Sequence, residues 1–238
     1  MAGKQSKKIT FKKVLKYLGI AALVYICGSI LLTALYIVVN PPITFLMVQR
    51  CVQQAFDDNR KVRLQKTWVD IEDISPNMVK AVMAAEDNRF RHHKGFDFEQ
   101  IKRAREDSER SGRRPRGAST ISQQTAKNVF LWNGRNYVRK ALEAYQTVLI
   151  ETFWSKKRIM EVYLKVIEFG DGIYGVEAAS QYYFGKSAKR LTKRQAALLA
   201  SVLPNPLKRN PAKPSPRLNR KADRVMYLMN KVGSANLK

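Results

Sequence analysis

The sequence predicts a mainly α-helical protein, in which one N-terminal transmembrane helix is followed by a helical domain. Residues 18–39 carry no charged side chain, and about 20 apolar residues are enough for a helix to cross a bilayer core. Several later segments begin with a helix-capping residue and then repeat apolar residues at helical spacing. The chain also has no strong run of alternating apolar and polar residues, the pattern that indicates strands.

Composition agrees with a folded domain and leaves the partner open. The 238 residues include 44 Lys and Arg against 19 Asp and Glu, so the formal net charge is +25. A hydrophobic content of 45% excludes wholesale disorder and collagen-like chains. The positive charge is compatible with nucleic acid, an anionic membrane surface or a phosphate-bearing substrate. Cys27 and Cys51 are too few for a disulfide framework and make no zinc pattern.

The charges around the apolar segment predict its orientation. The residues before it contain several lysines and no acid, and positive residues stay on the cytoplasmic side of a membrane. We therefore expect four segments. They are a cytoplasmic basic tail (residues 1–17), a transmembrane helix (18–39), a juxtamembrane segment (40–70) and an exported domain (71–238). Export of the domain argues against nucleic acid as a partner.

The segment after the anchor has two interpretations. Asn40, Pro41 and Pro42 are expected to stop the transmembrane helix. The apolar residues 45–48 that follow either rest in the outer leaflet or simply extend the anchor.

Within the exported domain, capping residues predict the helices in order. Ser75 and Pro76 form a helix start, and the helix should carry Glu86 near its end. The next helix starts at Asp97, which pairs with Gln100, and another starts at Ser119 or Thr120 and runs toward Phe130. A further helix starts at Ser155. A last apolar helix starts at Thr192, which pairs with Gln195, and ends at Pro204. The apolar residues predicted to recur on these helices are Met78, Val79, Val82, Met83, Ile159, Met160, Tyr163 and Leu164.

Residues 139–153 are also predicted to be a helix. Leu142, Tyr145 and Leu149 make an apolar stripe, whereas Arg139 and Glu143 share a different face.

Two stretches interrupt the helical pattern. Residues 108–117 are polar and basic and are expected to form a mobile loop. Residues 203–216 contain five prolines and are expected to lie extended over the surface.

Three familiar motifs fail on inspection. Gly185-Lys186-Ser187 resembles the end of a phosphate-binding loop, but Ser180 stands where its first glycine is required. His92 and His93 are adjacent and have no second ligand pair at zinc spacing. A serine followed three residues later by lysine, the signature of penicillin-binding acyl transfer, does not occur in the sequence.

Carboxylates, amides and cations remain as candidate chemistry. Glu86 and Asp87 fall at a predicted helix end beside Phe90, and apolar surroundings raise the pKa of a carboxyl toward the range of a general base. Residues 117–128 offer hydroxyls and amides at a helix N-terminus, where phosphate or sugar oxygens bind readily. Each segment taken alone is better explained by a helix cap with solvated polar side chains than by a functional site.

Five motifs follow one another along the chain. They are Glu86-Asp87-x-x-Phe90-x-x-His93-x-Gly95-Phe96, Gly117-x-Ser119-Thr120-Ile121-x-Gln123-Gln124-x-x-Lys127-Asn128, Arg139-Lys140-x-x-Glu143, Lys157-x-Ile159-x-Glu161-x-Tyr163-Leu164, and Gly172-Ile173-x-Gly175 leading to Tyr183-Phe184-x-Lys186. In this order they resemble the motifs of the peptidoglycan glycosyltransferases of family 51, the lipid II polymerases of bacterial cell walls. The resemblance covers about residues 71–229, and Lys165 departs from it because the family usually has asparagine there. The proline-rich end and the missing Ser-x-x-Lys resemble the monofunctional members, which lack a transpeptidase domain.

The resemblance implies a lysozyme-like bilobal domain and a mechanism. Glu86 would be the general base that deprotonates the acceptor 4-hydroxyl, and Glu143 would position the donor diphosphate or help to hold a divalent cation, Mg²⁺ or Mn²⁺. No prosthetic group is implied. Cations at Lys127, Arg135 and Lys140 would stabilise the leaving diphosphate. The further substrate-binding positions implied by the motifs are Asp87, Phe90, His93, Ser119, Thr120, Gln123, Gln124, Asn128 and Arg139.

It also implies partners and a location. The partners are lipid II, the growing lipid-linked glycan and the membrane, with cell-division or elongation proteins as further candidates. The location is the bacterial inner membrane, with a single pass, a cytoplasmic N-terminus and a periplasmic catalytic domain. Two alternatives stay open, namely a lysozyme-like glycan hydrolase and a non-catalytic basic scaffold at the membrane. Most of the basic residues beyond Lys186 are expected to face anionic lipid or solvent.

Overall fold

The chain forms two compact units, which divide between Val39 and Asn40. The computed structural model describes residues 11–113, 117–134 and 136–237. In both units the described secondary structure is mainly helical, as the sequence predicts.

The first unit contains helix α1, Phe11–Leu35. Among the described residues it is the one helix long and apolar enough to cross a membrane, with a mean hydropathy of 2.3. Residues 11–17, predicted as part of the tail, already belong to α1, so the predicted helix start at Leu18 is wrong. Regular helix ends at Leu35 and residues 36–39 form turns and a bend, so the predicted end at Val39 is also wrong. The prediction counted uncharged residues, and those continue through the turns to the prolines.

The second unit carries nine further α-helices and three short strands within the described residues. The helices are α2 (Phe45–Ala55), α3 (Pro76–Glu86), α4 (Phe98–Ser111), α5 (Ile121–Phe130), α6 (Tyr137–Phe153), α7 (Lys156–Val166), α8 (Val176–Phe184), α9 (Lys193–Val202) and α10 (Pro216–Met229). The strands are β1 (Gln65–Lys66), β2 (Glu168–Gly170) and β3 (Ile173–Tyr174), and two short 3₁₀ segments cover Ile71–Asp73 and Ala188–Arg190.

Two helix groups build the core of this unit. In one, α3, α9 and α10 pack against each other, and in the other α5 packs against α6 and α7. The apolar residues predicted to recur on α3 and α7 are all buried, because their spacing places them on the side that faces the neighbouring helices.

Capping residues determine where most helices begin. The side chains of Ser75, Thr120, Ser155 and Thr192 each accept a backbone N–H in the first turn, as predicted. Asp97 also caps its helix, but the Gln100 side chain does not complete the predicted pair. It donates instead to Asn88 Oδ1 at 2.9 Å.

The sheet is small and has the order β1-β3-β2, with β1 parallel and β2 antiparallel to β3. Gly172, in the turn between β2 and β3, has φ of +70°. Its carbonyl accepts the Gln65 N–H at 2.7 Å, and a Cβ at Gly172 would lie 2.2 Å from the Arg63 carbonyl oxygen. Glycine is therefore required where β1 approaches this turn.

Several predicted boundaries need correction. Residues 108–111 belong to α4, which ends at Gly112 in the left-handed conformation, so a loop over all of 108–117 is wrong. Residues 114–116 lie outside the described part of the chain. Helix α6 begins at Tyr137, two residues before the prediction, because Asn136 caps it. Residues 203–215 contain no helix or strand, as predicted, but they form bends and turns, and Pro216 starts α10.

Three helices of the second unit were not predicted, namely α2, α8 and α10. Helix α2 occupies the juxtamembrane segment and buries Leu46 and Met47 while it exposes Phe45 and Val48. These four apolar residues therefore do not share one environment. Helix α10 follows α9, which is thus not the last helix.

Candidate active site

Glu86 is the last residue of α3 and faces the first turns of α5. The helix stops there because Asp87 leaves the helical region, with φ of −160°. The Glu86 side chain is half-buried, and its Oε2 accepts a hydrogen bond from Gln124 Nε2 at 3.0 Å. The sequence predicted both residues as parts of one site, and the fold brings them into contact.

Burial raises the pKa of the Glu86 carboxyl above its ordinary value. The hydrogen bond from Gln124 and the positive charges of Lys221 and Arg209 oppose this rise, whereas the neighbouring Asp87 adds to it. A carboxylate with a raised pKa that remains ionised at neutral pH is a stronger proton acceptor.

Asp87, His93 and Phe90 support this region from inside the protein. His93 Nε2 lies 2.9 Å from both carboxylate oxygens of Asp87, and Asp87 Oδ2 also accepts the Ile121 N–H at 3.0 Å. Phe90 is fully buried and meets the His93 ring edge-on at 6.2 Å between centroids. These contacts tie the end of α3 to the start of α5, which supports a site-shaping role for all three residues.

Asp87, His93 and Asp97 also place one ligand atom each within 4.8 Å of one another. However, His93 Nε2 and both Asp87 oxygens already bond to each other or to the backbone. The buried atoms without a hydrogen bond are His93 Nδ1 and Asp97 Oδ2, and Asp97 Oδ2 forms an ion pair with Arg89 Nε at 3.8 Å. These two atoms do not make a cation site, so we interpret the cluster as a buried hydrogen-bonded support.

The motif at the start of α5 divides into buried and exposed parts. Thr120 and Gln123 form a reciprocal capping box, and Thr120 Oγ1 also donates to the Gly95 carbonyl at 2.6 Å. Asn128 is buried and lines neither of the two cavities at Glu86. Ser119 is exposed and lines both cavities at Glu86, whereas Gln124 is half-buried and lines the smaller one.

A cluster of cations surrounds Glu143 on α6. Arg139 Nη1 donates to Glu143 Oε2 at 2.6 Å, and Lys140 Nζ bonds to the other carboxylate oxygen. Lys127 lies nearby, and its pKa is lowered mainly by burial and also by the charge of Arg139. Arg135, predicted to belong to this cluster, lies outside the described residues.

The buried face of α6 is the polar one. The stripe of Leu142, Tyr145 and Leu149 is half-buried, whereas Arg139 and Glu143 are 8% and 3% exposed. The apolar pattern therefore marks the less buried side of this helix. The charged side is buried because it pairs internally.

Two cavities meet at Glu86. The smaller, of about 560 Å³, contains the cations Lys127, Arg139 and Lys140. The larger, of about 1320 Å³, lies between α4 and α10. Glu86 and Ser119 line both cavities. In the larger cavity the cationic side chains outnumber the carboxylates. The cationic residues are Arg103, Arg110, Arg113, Arg209, Arg217, Arg220, Lys221 and Arg224.

Arg209 and Lys221 are site residues that the sequence interpretation missed. They were assigned with other basic residues to lipid or solvent, but both are half-buried, and both donate to the Ser201 carbonyl, at 2.8 and 3.3 Å. A signal was available, because Ser215-Pro216 repeats the helix start seen at Ser75-Pro76.

Lys165 lies outside these cavities. It is 2% exposed, and its Nζ bonds to Glu161 Oε1 at 2.8 Å and to Asp70 Oδ1 at 3.4 Å. The departure from the usual asparagine thus falls in a buried ion-pair network and not at the catalytic candidates.

Comparisons with known proteins identify the family of the chain. The sequence model of the transglycosylase family matches residues 53–230. The chain is similar to proteins called biosynthetic peptidoglycan transglycosylase. It is 52% identical to the one from Caulobacter vibrioides, over 85% of this chain and 85% of that protein. It is 50% identical to the one from Haemophilus influenzae, over 82% of this chain and 80% of that protein, and 47% identical to the one from Bacteroides thetaiotaomicron, over 95% of this chain and 90% of that protein. The chain therefore belongs to the transglycosylase family and is a glycosyltransferase.

Proposed function

We propose that this chain is a peptidoglycan transglycosylase that polymerises lipid II into β-1,4-linked glycan strands and releases undecaprenyl diphosphate. One observation carries the proposal, namely the position of Glu86 between two cation-lined cavities. A transfer between two lipid diphosphates needs two anion-binding sites that meet at a base. The names of the relatives support peptidoglycan as the product.

The smaller cavity is the better site for the leaving diphosphate of the donor. Lys127, Arg139 and Lys140 present positive charge there, and Lys127 is partly withdrawn from solvent. Cations act most strongly on charge that grows in a poorly hydrated site. The paired carboxylate of Glu143 keeps Arg139 and Lys140 in place.

The larger cavity then receives the acceptor. Glu86 removes the proton from the acceptor 4-hydroxyl, and the oxygen attacks the anomeric carbon of the donor sugar. As the new bond forms, the bond from that carbon to the diphosphate oxygen breaks, and the electron pair leaves with the diphosphate. Attack opposite the leaving group inverts the configuration at the anomeric carbon.

The divalent cation expected at Glu143 does not fit the described contacts. Each carboxylate oxygen of Glu143 already bonds to a cation, Arg139 or Lys140. A metal ion there would have to displace one of them, so we derive no step through a metal. The same pairing disfavours a hydrolase with Glu143 as a second free carboxylate.

We further propose that α1 anchors the enzyme in the bacterial inner membrane, with the N-terminus in the cytoplasm and the catalytic domain outside. The lysines before Leu18 support this orientation. The exposed Phe45, Val48 and Val52 on α2 support contact of this helix with the outer leaflet. A transpeptidase activity is not expected, because the sequence contains no Ser-x-x-Lys.

Purified lipid II tests the proposal. We expect the full-length protein in detergent to convert lipid II into long glycan, with one undecaprenyl diphosphate released per bond formed. Muramidase should digest the product to disaccharide units, as β-1,4 linkage requires. Shortening of preformed glycan without polymerisation would instead establish the hydrolase, and binding without turnover would establish the scaffold.

A further inference from the structure

A chain of two hydrogen bonds connects the core to Glu86. Tyr163 on α7 is fully buried, and its hydroxyl lies 3.1 Å from Gln124 Oε1. The other end of the same amide, Gln124 Nε2, lies 3.0 Å from Glu86 Oε2. Gln124 thus stands between a buried hydroxyl and the carboxylate that lines both cavities.

The hydroxyl favours one orientation of the amide, together with the Ser119 carbonyl oxygen, which lies 3.5 Å from Gln124 Nε2. Burial raises the pKa of Tyr163 well above 10, and the charges of Glu86 and Asp87 raise it further, so the phenol keeps its proton. When it donates to Gln124 Oε1, the NH₂ group faces Glu86. The reversed amide would leave the Tyr163 proton without this acceptor in the core and would turn Oε1 toward the carboxylate, which is costly when Glu86 is ionised.

We propose that Tyr163 is a positioning residue for the reaction. Its hydroxyl holds the Gln124 amide in the orientation that stabilises ionised Glu86 through Oε2 and leaves Oε1 to take the proton of the acceptor hydroxyl. Donation by Tyr163 also polarises the amide and strengthens its bond to the carboxylate. This inference rests on the proposed role of Glu86 as the base.

The other charged groups around Glu86 come from three parts of the fold. Asp87 follows it on the chain, Lys221 approaches from α10, and Arg209 approaches from the segment before α10. A change of Tyr163 to Phe alters none of these charges. A change in the pH dependence of that variant therefore reports the loss of the hydrogen bond.

The experiment is the pH profile of kcat for lipid II polymerisation by the full-length protein in detergent. Without the hydroxyl, the amide can reverse and accept a proton from neutral Glu86, so the neutral form gains stability. We expect Tyr163→Phe to move the acid midpoint upward by about half to one pH unit, with KM for lipid II within about twofold of the wild type. Tyr174→Phe, which removes another fully buried hydroxyl, near Glu168, should leave the midpoint unchanged.

A double-mutant cycle tests whether Tyr163 acts through Gln124. In a Gln124→Met background, Tyr163→Phe should produce no further shift of the midpoint. An unchanged midpoint in Tyr163→Phe, or an equal shift in both backgrounds, would overturn the inference. Normal polymerisation by Glu86→Gln would overturn the proposed function instead, so the two failures are distinguishable.

A second variant keeps the test valid if Tyr163→Phe does not fold. 3-Fluorotyrosine in place of Tyr163 retains the shape and makes the hydroxyl a stronger donor. We expect it to move the acid midpoint downward relative to the wild type. No shift, or an upward shift, would contradict a positioning role of the hydroxyl.

Discussion

At the residue scale, Glu86 has surroundings that oppose its ionisation and others that support it. Burial raises its pKa, and the Gln124 amide together with Lys221 and Arg209 counteracts the rise. This balance suits a group that must take a proton during each turnover and lose it again. It also means that the ionised carboxylate costs folding stability at neutral pH.

We therefore predict that Glu86→Gln stabilises the protein at pH 7. A carboxyl whose pKa is higher in the folded than in the unfolded state favours folding below its unfolded pKa, and that contribution disappears as the pH rises through the folded pKa. Thermal unfolding of the full-length variant should give a higher midpoint than the wild type at pH 7, and the difference should shrink at pH 4. An equal gain at both pH values would show that ionisation is not its cause.

A second residue-scale prediction concerns the cations of the smaller cavity. Lys127→Met should lower kcat/KM for lipid II by about 10²–10³, the usual cost of removing a preorganised group that stabilises transition-state charge. Lys102→Met is the matched control, because this lysine is exposed on α4 with its side chain 79% accessible. A loss of similar size in both variants would indicate a general charge effect, as the scaffold hypothesis expects.

At the element scale, helix α7 links a buried ion-pair network to the active site. Lys165 lies one turn beyond Glu161 and bonds to it, and Arg158 bonds to the other carboxylate oxygen of Glu161 at 2.8 Å. Tyr163 lies between them in sequence and contacts Gln124. The network therefore stabilises the helix that positions Tyr163.

We predict that Lys165→Met destabilises the domain by roughly 3 kcal/mol, because the change leaves a partly buried carboxylate with one cation fewer. Chemical denaturation of the full-length protein measures this. Lys157→Met is the control, since its ion pair with Glu72 is exposed and its loss should destabilise the domain much less. Equal effects of the two substitutions would refute a buried network.

Local patterns in the sequence predicted the elements better than the way they pack. Helix starts at Ser75 and Thr192 were predictable, because the capping side chain and the backbone it bonds are neighbours in the chain. The small sheet was not, because two- and three-residue strands are too short to show a period. The approach of Lys221 to Glu86 depends on how α10 packs against α3, which no local pattern encodes.

At the scale of the whole molecule, the residues that produce the net charge of +25 fall into groups with different proposed roles. The lysines before Leu18 are proposed to set the membrane orientation, and Lys127, Arg139 and Lys140 line the smaller cavity. Arg209 and Lys221 line the larger cavity.

The candidate residues of the motifs were predictable because the resemblance gave their order along the chain. The second cavity was not, since its cations lie on α4, on α10 and between α9 and α10.

Fusions to the C-terminus test the proposed orientation. If the basic tail stays in the cytoplasm, a C-terminal alkaline phosphatase should be active in the periplasm and a C-terminal green fluorescent protein should be dark. Replacement of the lysines before Leu18 by glutamate is the control, and it should weaken the contrast between the two reporters. A fluorescent C-terminal fusion to the unmodified chain would contradict a periplasmic catalytic domain.

The rate of lipid II polymerisation by Glu86→Gln tests the central claim most directly. Glu106→Gln, on the exposed side of α4, is the matched control, and lipid II binding is measured for both variants. With Glu86 as the base, Glu86→Gln should polymerise lipid II about 10²–10⁴-fold more slowly than the wild type while it still folds and binds lipid II. Glu106→Gln should retain the wild-type rate. Polymerisation by Glu86→Gln at the wild-type rate would contradict the claim.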